Sequence, residues 1–268
     1  MTTRHMFKAL AVTAALGLAL TACGDSDDGD NGNDGGDSAQ TLSTIDSGKL
    51  TVCSDAPYEP FDVIEGSTFT GFDGDLVTEI AKGLDLELVA IDSAFDPLQS
   101  GLALNSGQCD MAASAMTITD ERAEKLTFSE GYYDSKQSLL VPVGSDITSI
   151  DDLDGKKVGV QNATTGKAYT EENAQGAKVV SFPDDAAMFT ALKGGTVDAL
   201  LQDLPVNLEH TKDGKYEIVE EYSTDEAYGF AFKKEGSEDL VEAVNDQLQE
   251  LRDNGKYQEI YDKYFTAG

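Results

Sequence analysis

An α/β fold with mainly parallel sheets is predicted by three observations. Short apolar or β-branched runs are bounded by Gly, Asp or Pro, helical patterns fall between them, and 40% of the 268 residues are hydrophobic, enough for a packed core. The first strand is LTVCS from Leu50. Leu76, Val77, Ile80, Ala81 and Leu84 then share one helix face, and LELVAI from Leu86 is the next strand. DMAASAM from Asp110, SLLVPV from Ser138, KVGVQ from Lys157 and KVVSF from Lys178 follow as strands. Ala187, Met188, Ala191 and Leu192 mark a helix before the strand DALLQ from Asp198. YGFAF from Tyr228 is the last strand. Two helices close the chain, one on Leu240, Val241, Val244, Leu248 and Leu251, the other on Tyr257, Ile260, Tyr261, Tyr264 and Phe265. In such sheets ligands sit beyond the carboxyl ends of the strands. Four polar loops gather there: Cys53-Ser54-Asp55, Ser114 to Arg122, Gln161 to Gly166, and Gln202-Asp203. They predict a cleft for a small molecule.

The N-terminus reads as an address. Arg4 and Lys8 precede the apolar run ALAVTAALGLAL, Ala9 to Leu20. That run is too short to cross ~30 Å of hydrocarbon, which needs about 20 residues, and matches a secretory signal. The exit Leu20-Thr21-Ala22-Cys23 resembles the lipobox of bacterial lipoproteins, in which the Cys is diacylated; the alternative is an ordinary signal with Cys23 incidental. Residues 1–22 are thus expected to be a signal peptide. Residues 23–44 are expected to be a lipidated Cys and an acidic Gly/Asp-rich linker, too polar to order itself. The linker lacks the order of a calcium loop. An extracytoplasmic protein, lipid-anchored to the cell membrane, is the expectation.

The formal net charge is −31, of which +2 lies in the signal, −6 in residues 24–40 and −27 in residues 41–268. Such acidity repels phosphate backbones and anionic lipid, so nucleic-acid binding is not expected. Three Cys and two His leave little for a zinc site, and no metal or cofactor is expected. In an oxidising compartment Cys53 and Cys109 are free to pair. Their positions, near a strand end and a strand start, argue against a bridge if the strands run parallel, so the disulfide stays open.

Thr119 is a good N-cap, with Asp120 and Glu121 in the first helical turn. Arg122, one turn in, offers a planar fork to a carboxylate, and Thr117 adds a hydroxyl and an N–H beside it. Gln161-Asn162-Ala163-Thr164-Thr165-Gly166-Lys167 lies between a strand and a helix, where free N–H groups favour an anion. Its glycine spacing is wrong for a nucleotide loop. Asp203, opposite a carboxylate clamp, would take an α-ammonium; alternatively it merely caps the next helix.

CSDAPYEPF (Cys53–Phe61), GFDGDLVTEIAKGL, ALNSGQCDMAASAMTITDERAEKLTFSEGYY, DLDGKKVGVQNATTG, DALLQDLP and YGFAFKK stand in the order of a known family. Over about residues 45–265 the chain resembles the polar amino-acid-binding proteins of ABC transporters, the glutamine-, lysine/arginine/ornithine- and histidine-binding-like solute-binding proteins of family 3. The resemblance implies a two-lobe, type II periplasmic-binding-protein fold with two crossover hinge segments. Lobe 1 would be 45–133 plus 227–268, and lobe 2 would be 137–223. It implies that Arg122 binds the ligand carboxylate, with Thr117 and the carbonyl of Ala115, where relatives often carry Gly. Thr165 would be the backbone donor of lobe 2, Asp203 the ammonium ligand, and Tyr58 and Phe95 the stacking aromatics. Selectivity falls to Asp55, Tyr58, Phe95, Gln161 and Gln202. The glutamine-binding relatives carry Lys at the Gln161 position, so Asp55 is expected to lack a partner. A buried unpaired carboxylate is costly, so the ligand expected is Arg, Lys, ornithine or His, with Gln second. The partners implied are an amino acid and the permease subunits, for a monomer. An amino-acid sensor lipoprotein, a cyclohexadienyl-dehydratase-like enzyme on the same fold and a structural surface lipoprotein are the competing classes. No catalytic residue is expected.

Overall fold

A computed structural model describes residues 42–265. The signal over 1–22, the lipobox at Cys23 and nearly all of the linker over 23–44 lie outside the described residues. The elements run β1 (Lys49–Ser54), β2 (Val63–Glu65), β3 (Thr68–Thr70), α1 (Phe72–Gly83), β4 (Glu87–Asp92), α2 (Phe95–Gln99), α3 (Leu102–Asn105), β5 (Met111–Ala112), α4 (Asp120–Ala123) and β6 (Leu126–Phe128). Then come β7 (Tyr133–Pro142), β8 (Lys157–Gln161), α5 (Thr165–Asn173), β9 (Lys178–Phe182), α6 (Asp185–Lys193), β10 (Ala199–Asp203), α7 (Leu204–Thr211), β11 (Tyr216–Tyr228), β12 (Ala231–Lys233), α8 (Glu238–Asp253) and α9 (Lys256–Phe265).

Two five-stranded sheets form, ordered β4-β1-β5-β12-β6 and β11-β7-β10-β8-β9, with β2 and β3 a separate hairpin. In the first, β1 pairs parallel with β4 and β5, and β12 runs antiparallel to β5 and β6. In the second, β8 pairs parallel with β9 and β10, while β7 runs antiparallel to β10 and β11. The chain passes from the first sheet to the second between β6 and β7, and returns between β11 and β12. The parallel strands require helical crossovers, and the helices cover the sheet faces. α1 shows the cause: Leu76, Val77, Ile80 and Ala81 are all buried at helical spacing, against Leu50, Val52, Met111 and Phe232 of the first sheet. Phe61 and Phe72 bring an aromatic cluster to the same core, with Tyr133, Tyr228 and Phe265 against Phe61 at ring-centroid distances of 5.0 to 5.4 Å.

Two expectations need correction, and a third point left open is resolved. YGFAF is not one strand: Tyr228 ends β11, Gly229 and Phe230 turn, and β12 starts at Ala231. DMAASAM gives only a two-residue strand, because Ala115 bends the chain at φ 42°. Cys53 and Cys109 are joined by a disulfide, their Cα atoms 5.8 Å apart. The parallel register sets Cys53 beside Ala112, but Cys109 lies before β5 in a turn that folds back over β1. The strand-start argument does not apply to a residue outside the strand. Asp110 pins this turn, accepting from the N–H groups of Thr51 and Ile45 at 2.8 and 2.7 Å.

Candidate ligand-binding site

The carboxyl ends of β1, β8 and β10 face one cavity. Nine predicted residues line it: Asp55, Tyr58, Phe95, Ala115, Thr117, Arg122, Gln161, Thr165 and Asp203, joined by Ser114 and Thr164. Gln202 does not line it. Alternation along β10 turns its side chain away from that of Asp203, and its amide donates instead to Asp185 and Asn207 at 2.8 and 3.0 Å.

Arg122 is held by its local fold. Thr119 caps α4, its hydroxyl accepting from the Arg122 N–H at 3.2 Å. The guanidinium donates to the Thr117 carbonyl at 2.8 Å and, across the cleft, to the Ala163 carbonyl at 3.0 Å. A guanidinium has five N–H groups, so three remain for a ligand. The Arg122 guanidinium carbon also lies 5.1 Å from the Phe95 ring centre. The side chain is 5% exposed, and burial lowers its pKa to about 10, still charged at neutral pH.

Ala115 and Ala163 stand on opposite walls with left-handed backbones, φ 42° and 64°. Left-handed non-glycine residues are uncommon and strained. At Ala115 the strain is held by Asp73, whose carboxylate accepts from the Ala115 N–H at 2.9 Å and from the Tyr132 hydroxyl at 2.7 Å. Asp73 is the first Asp of GFDGDL, so this motif acts behind the site as its scaffold.

Asp203 is 8% exposed and accepts from three donors: the Tyr58 hydroxyl at 3.0 Å, the Tyr228 hydroxyl and the Gln137 amide at 2.5 Å each. It does not cap α7 with its side chain, which removes the helix-capping alternative. Burial pushes its pKa up, opposed by these donors and by Arg122.

At the far end, the Gln161 amide donates to Asp55 at 2.5 Å and to the Pro183 carbonyl at 3.2 Å. The expectation that Asp55 lacks a partner is therefore corrected, but its partner is a neutral amide and not a cation. Burial raises the Asp55 pKa to about 6; Gln161 opposes the rise, and Asp184, Asp92 and Asp185 add to it. Sequence reasoning missed Gln137 and Glu226. Glu226 accepts from the Gln137 amide at 2.8 Å, and no spacing in STDEAYG distinguishes it from its acidic neighbours. His210, the one histidine of the folded part, lies elsewhere, bonded to Asp185 at 2.9 Å and stacked on Phe189.

Arg122 and Asp203 thus line one cavity beyond the strand ends of two sheets. Residues 50–267 match the model of the bacterial extracellular solute-binding proteins, family 3, and the chain belongs to that family. A Campylobacter jejuni relative named "Probable histidine-binding protein" is 37% identical over 211 residues, 77% of this chain and 81% of its own. An ancestral arginine-binding protein solved with arginine superposes with a TM-score of 0.76 at 37% identity, covering 82% of this chain and 99% of that one. An ancestral amino-acid-binding protein described as a precursor of cyclohexadienyl dehydratase superposes with a TM-score of 0.74 at 33% identity, covering 82% and 96%. The protein is therefore an amino-acid-binding substrate-binding protein of the ABC transporter type with the type II fold. Among the described residues no helix is long and apolar enough to cross a membrane.

Proposed function

We propose that this chain captures a cationic L-amino acid, with glutamine second, and delivers it to the permease of an ABC importer. One observation carries the reading: Asp55, Asp203 and the adjoining Glu226 set three carboxyl groups against the single guanidinium of Arg122 in or beside one cleft. A zwitterion leaves that imbalance as it is, and a cation reduces it.

In this reading the ligand carboxylate takes the spare N–H groups of Arg122, the Thr117 N–H and the amide of Thr165 at the start of α5. The α-ammonium takes Asp203 and the Ala115 carbonyl. The side chain runs between Tyr58 and Phe95 towards Asp55 and Gln161. Lobe 1, residues 45–133 plus 227–268, holds Arg122 and Thr117 and docks the ligand. Lobe 2, residues 137–223, then adds Thr165 and Asp203, with the crossover segments as hinges. Contacts present only when closed must drive closure. The arginine-bound neighbour and the histidine-binding relative support a cationic ligand. The protein acts as a monomer, extracytoplasmic, tethered by lipid on Cys23.

Calorimetry with the twenty amino acids and ornithine tests the ligand. Tightest binding is expected for cationic residues; tight glutamate binding with none to cations overturns the reading. Mass spectrometry of membrane-extracted protein tests the tether, and an unmodified Cys23 rejects it. The fold shared with the dehydratase precursor makes turnover of arogenate or prephenate the test of an enzymatic role. None is expected, because the residues lining the described cleft include no histidine.

A further inference from the structure

The pairing of β11 with β7 shifts register twice, between Ile218 and Glu220 and, by more, between Tyr222 and Glu226. Tyr222 stands opposite Gln137 and Glu226 opposite Ser135, so Ser223, Thr224 and Asp225 face only Lys136. Asp225 turns this bulge with φ 53°. Two extra residues are absorbed, so Glu226 rather than Thr224 comes into register with Ser135, diagonal to Gln137. Gln137 spends its one NH₂ on three acceptors: Asp203 at 2.5 Å, Glu226 at 2.8 Å and the Thr165 hydroxyl at 3.4 Å. Its own carbonyl oxygen is buried without a hydrogen-bond partner, so the amide is oriented through its NH₂. Gly166 packs there as well: a Cβ on it would sit 2.8 Å from that oxygen.

We propose that Glu226 is a positioning residue for the ligand's α-ammonium, holding Gln137 and Thr165 in place and adding a second negative charge behind Asp203. The proposal rests on the amino-acid-binding reading. It also gives the bulge a role: the second crossover strand carries a group that reports on the occupied seat. The groups facing Glu226 are Asp203 of β10, Arg122 of α4, Thr165 of α5 and Gln137 of β7. Burial, then Asp203, raises the Glu226 pKa to about 7. Its charge is therefore present above pH 8 and lost as the pH falls through 7.

The test is calorimetry of the full chain with each of the twenty standard amino acids, for the wild type, Glu226→Gln and Glu226→Asp. At pH 8.5, Glu226→Gln is expected to weaken the tightest ligands about fivefold, and Glu226→Asp less, because the charge is kept. At pH 5.5 the wild type is itself protonated there, and its ratio to Glu226→Gln falls towards one. A merely structural role would give a ratio that does not change with pH. Melting curves show that the variants fold; if Glu226→Gln does not, Glu226→Asp is scored alone, with equal affinity at pH 8.5 counting against the role. If the wild type binds and Glu226→Gln binds within twofold at pH 8.5, or the ratio is constant with pH, the assignment is overturned. If the wild type binds none of the twenty, the underlying reading falls, and this one with it.

Discussion

Replacing Arg122 by Ala isolates the carboxylate clamp. The side chain is 5% exposed and its two structural bonds go to backbone carbonyls, so its remaining three N–H groups work in a site almost without water. Charge-assisted hydrogen bonds of this kind contribute about 1.5–3 kcal/mol each. A bidentate pair at the low end gives about 3 kcal/mol, a loss of roughly 100-fold in affinity. The variant also leaves Asp203 and Glu226 without their nearby cation, so the loss should not fall below that figure. Calorimetry with the tightest of the cationic amino acids reads it directly; the chain has no Trp, and fluorescence would depend on Tyr alone. Arg122→Lys separates charge from geometry, since it keeps the cation without the fork, and about a tenfold loss is expected. Arg122→Ala should melt close to the wild type, because removal of a desolvated charge offsets two lost carbonyl bonds. A change in affinity below threefold for Arg122→Ala would refute the clamp.

Three further outcomes follow from other parts of the molecule. Asp55 has its pKa raised to about 6, so affinity for a cationic ligand should decline as the pH falls through 6, below the step expected from Glu226 near 7; Asp55→Asn should remove the lower step and leave glutamine binding within threefold, as read by calorimetry across pH 4.5–8. Asp62 and Asp73 are fully buried, and burial raises both, Asp73 to about 7 and Asp62 well above the usual carboxylate range. A raised carboxyl binds more protons folded than unfolded, so its stabilising contribution is complete below about pH 4 and lost as the pH rises to 7. The melting temperature should therefore fall from pH 5 to pH 7.5, with a shallower slope in Asp73→Asn, and a steady rise over that range would be contrary. Reducing the Cys53–Cys109 bridge, which closes a loop with a sequence separation of 56, should cost up to about 4 kcal/mol; a melting temperature unmoved by reductant would rule this out.

Much of the architecture was legible in the sequence because its cause is local. Periodic apolar residues set α1 and α8, and β-branched runs set β8 and β9. The short hairpin β2–β3 and the strand β6 were not legible: each has three residues, too few for any period. Most of the cavity was legible through loops at strand ends, where backbone turns force polar groups outward. Gln202 misled, because a strand end offers two faces and the sequence does not say which one meets the ligand. Glu226 was hidden for the opposite reason. Its inward placement depends on a two-residue excess against β7, which appears only once register is known. Asp73 reads in sequence as an ordinary first-turn acid; its bonds to Ala115 and Tyr132 connect elements far apart in the chain.

Four hydrogen bonds cross the cleft: Arg122 to Ala163, Tyr58 and Tyr228 to Asp203, and Gln161 to Asp55. Each end of a bound amino acid thus meets a pair of residues already drawn together from both sides. At the side-chain end, Gln161 also donates to the Pro183 carbonyl, so releasing Asp55 frees one of its two N–H groups and keeps the other bonded. A neutral amide ligand that takes its place exchanges one neutral donor for another, with little net gain. A guanidinium or ammonium exchanges a neutral donor for a charged one, and such bonds are about twice as strong. The difference is about 1–1.5 kcal/mol, a preference of roughly tenfold for arginine or lysine over glutamine. An acidic ligand instead places a second anion against Asp55, within a field already made by Asp92, Asp184 and Asp185. It must therefore bring a proton with it or stay out. Exclusion of glutamate is expected from Asp55 being an acid, and a margin over glutamine from the charge of the donor that takes the place of Gln161.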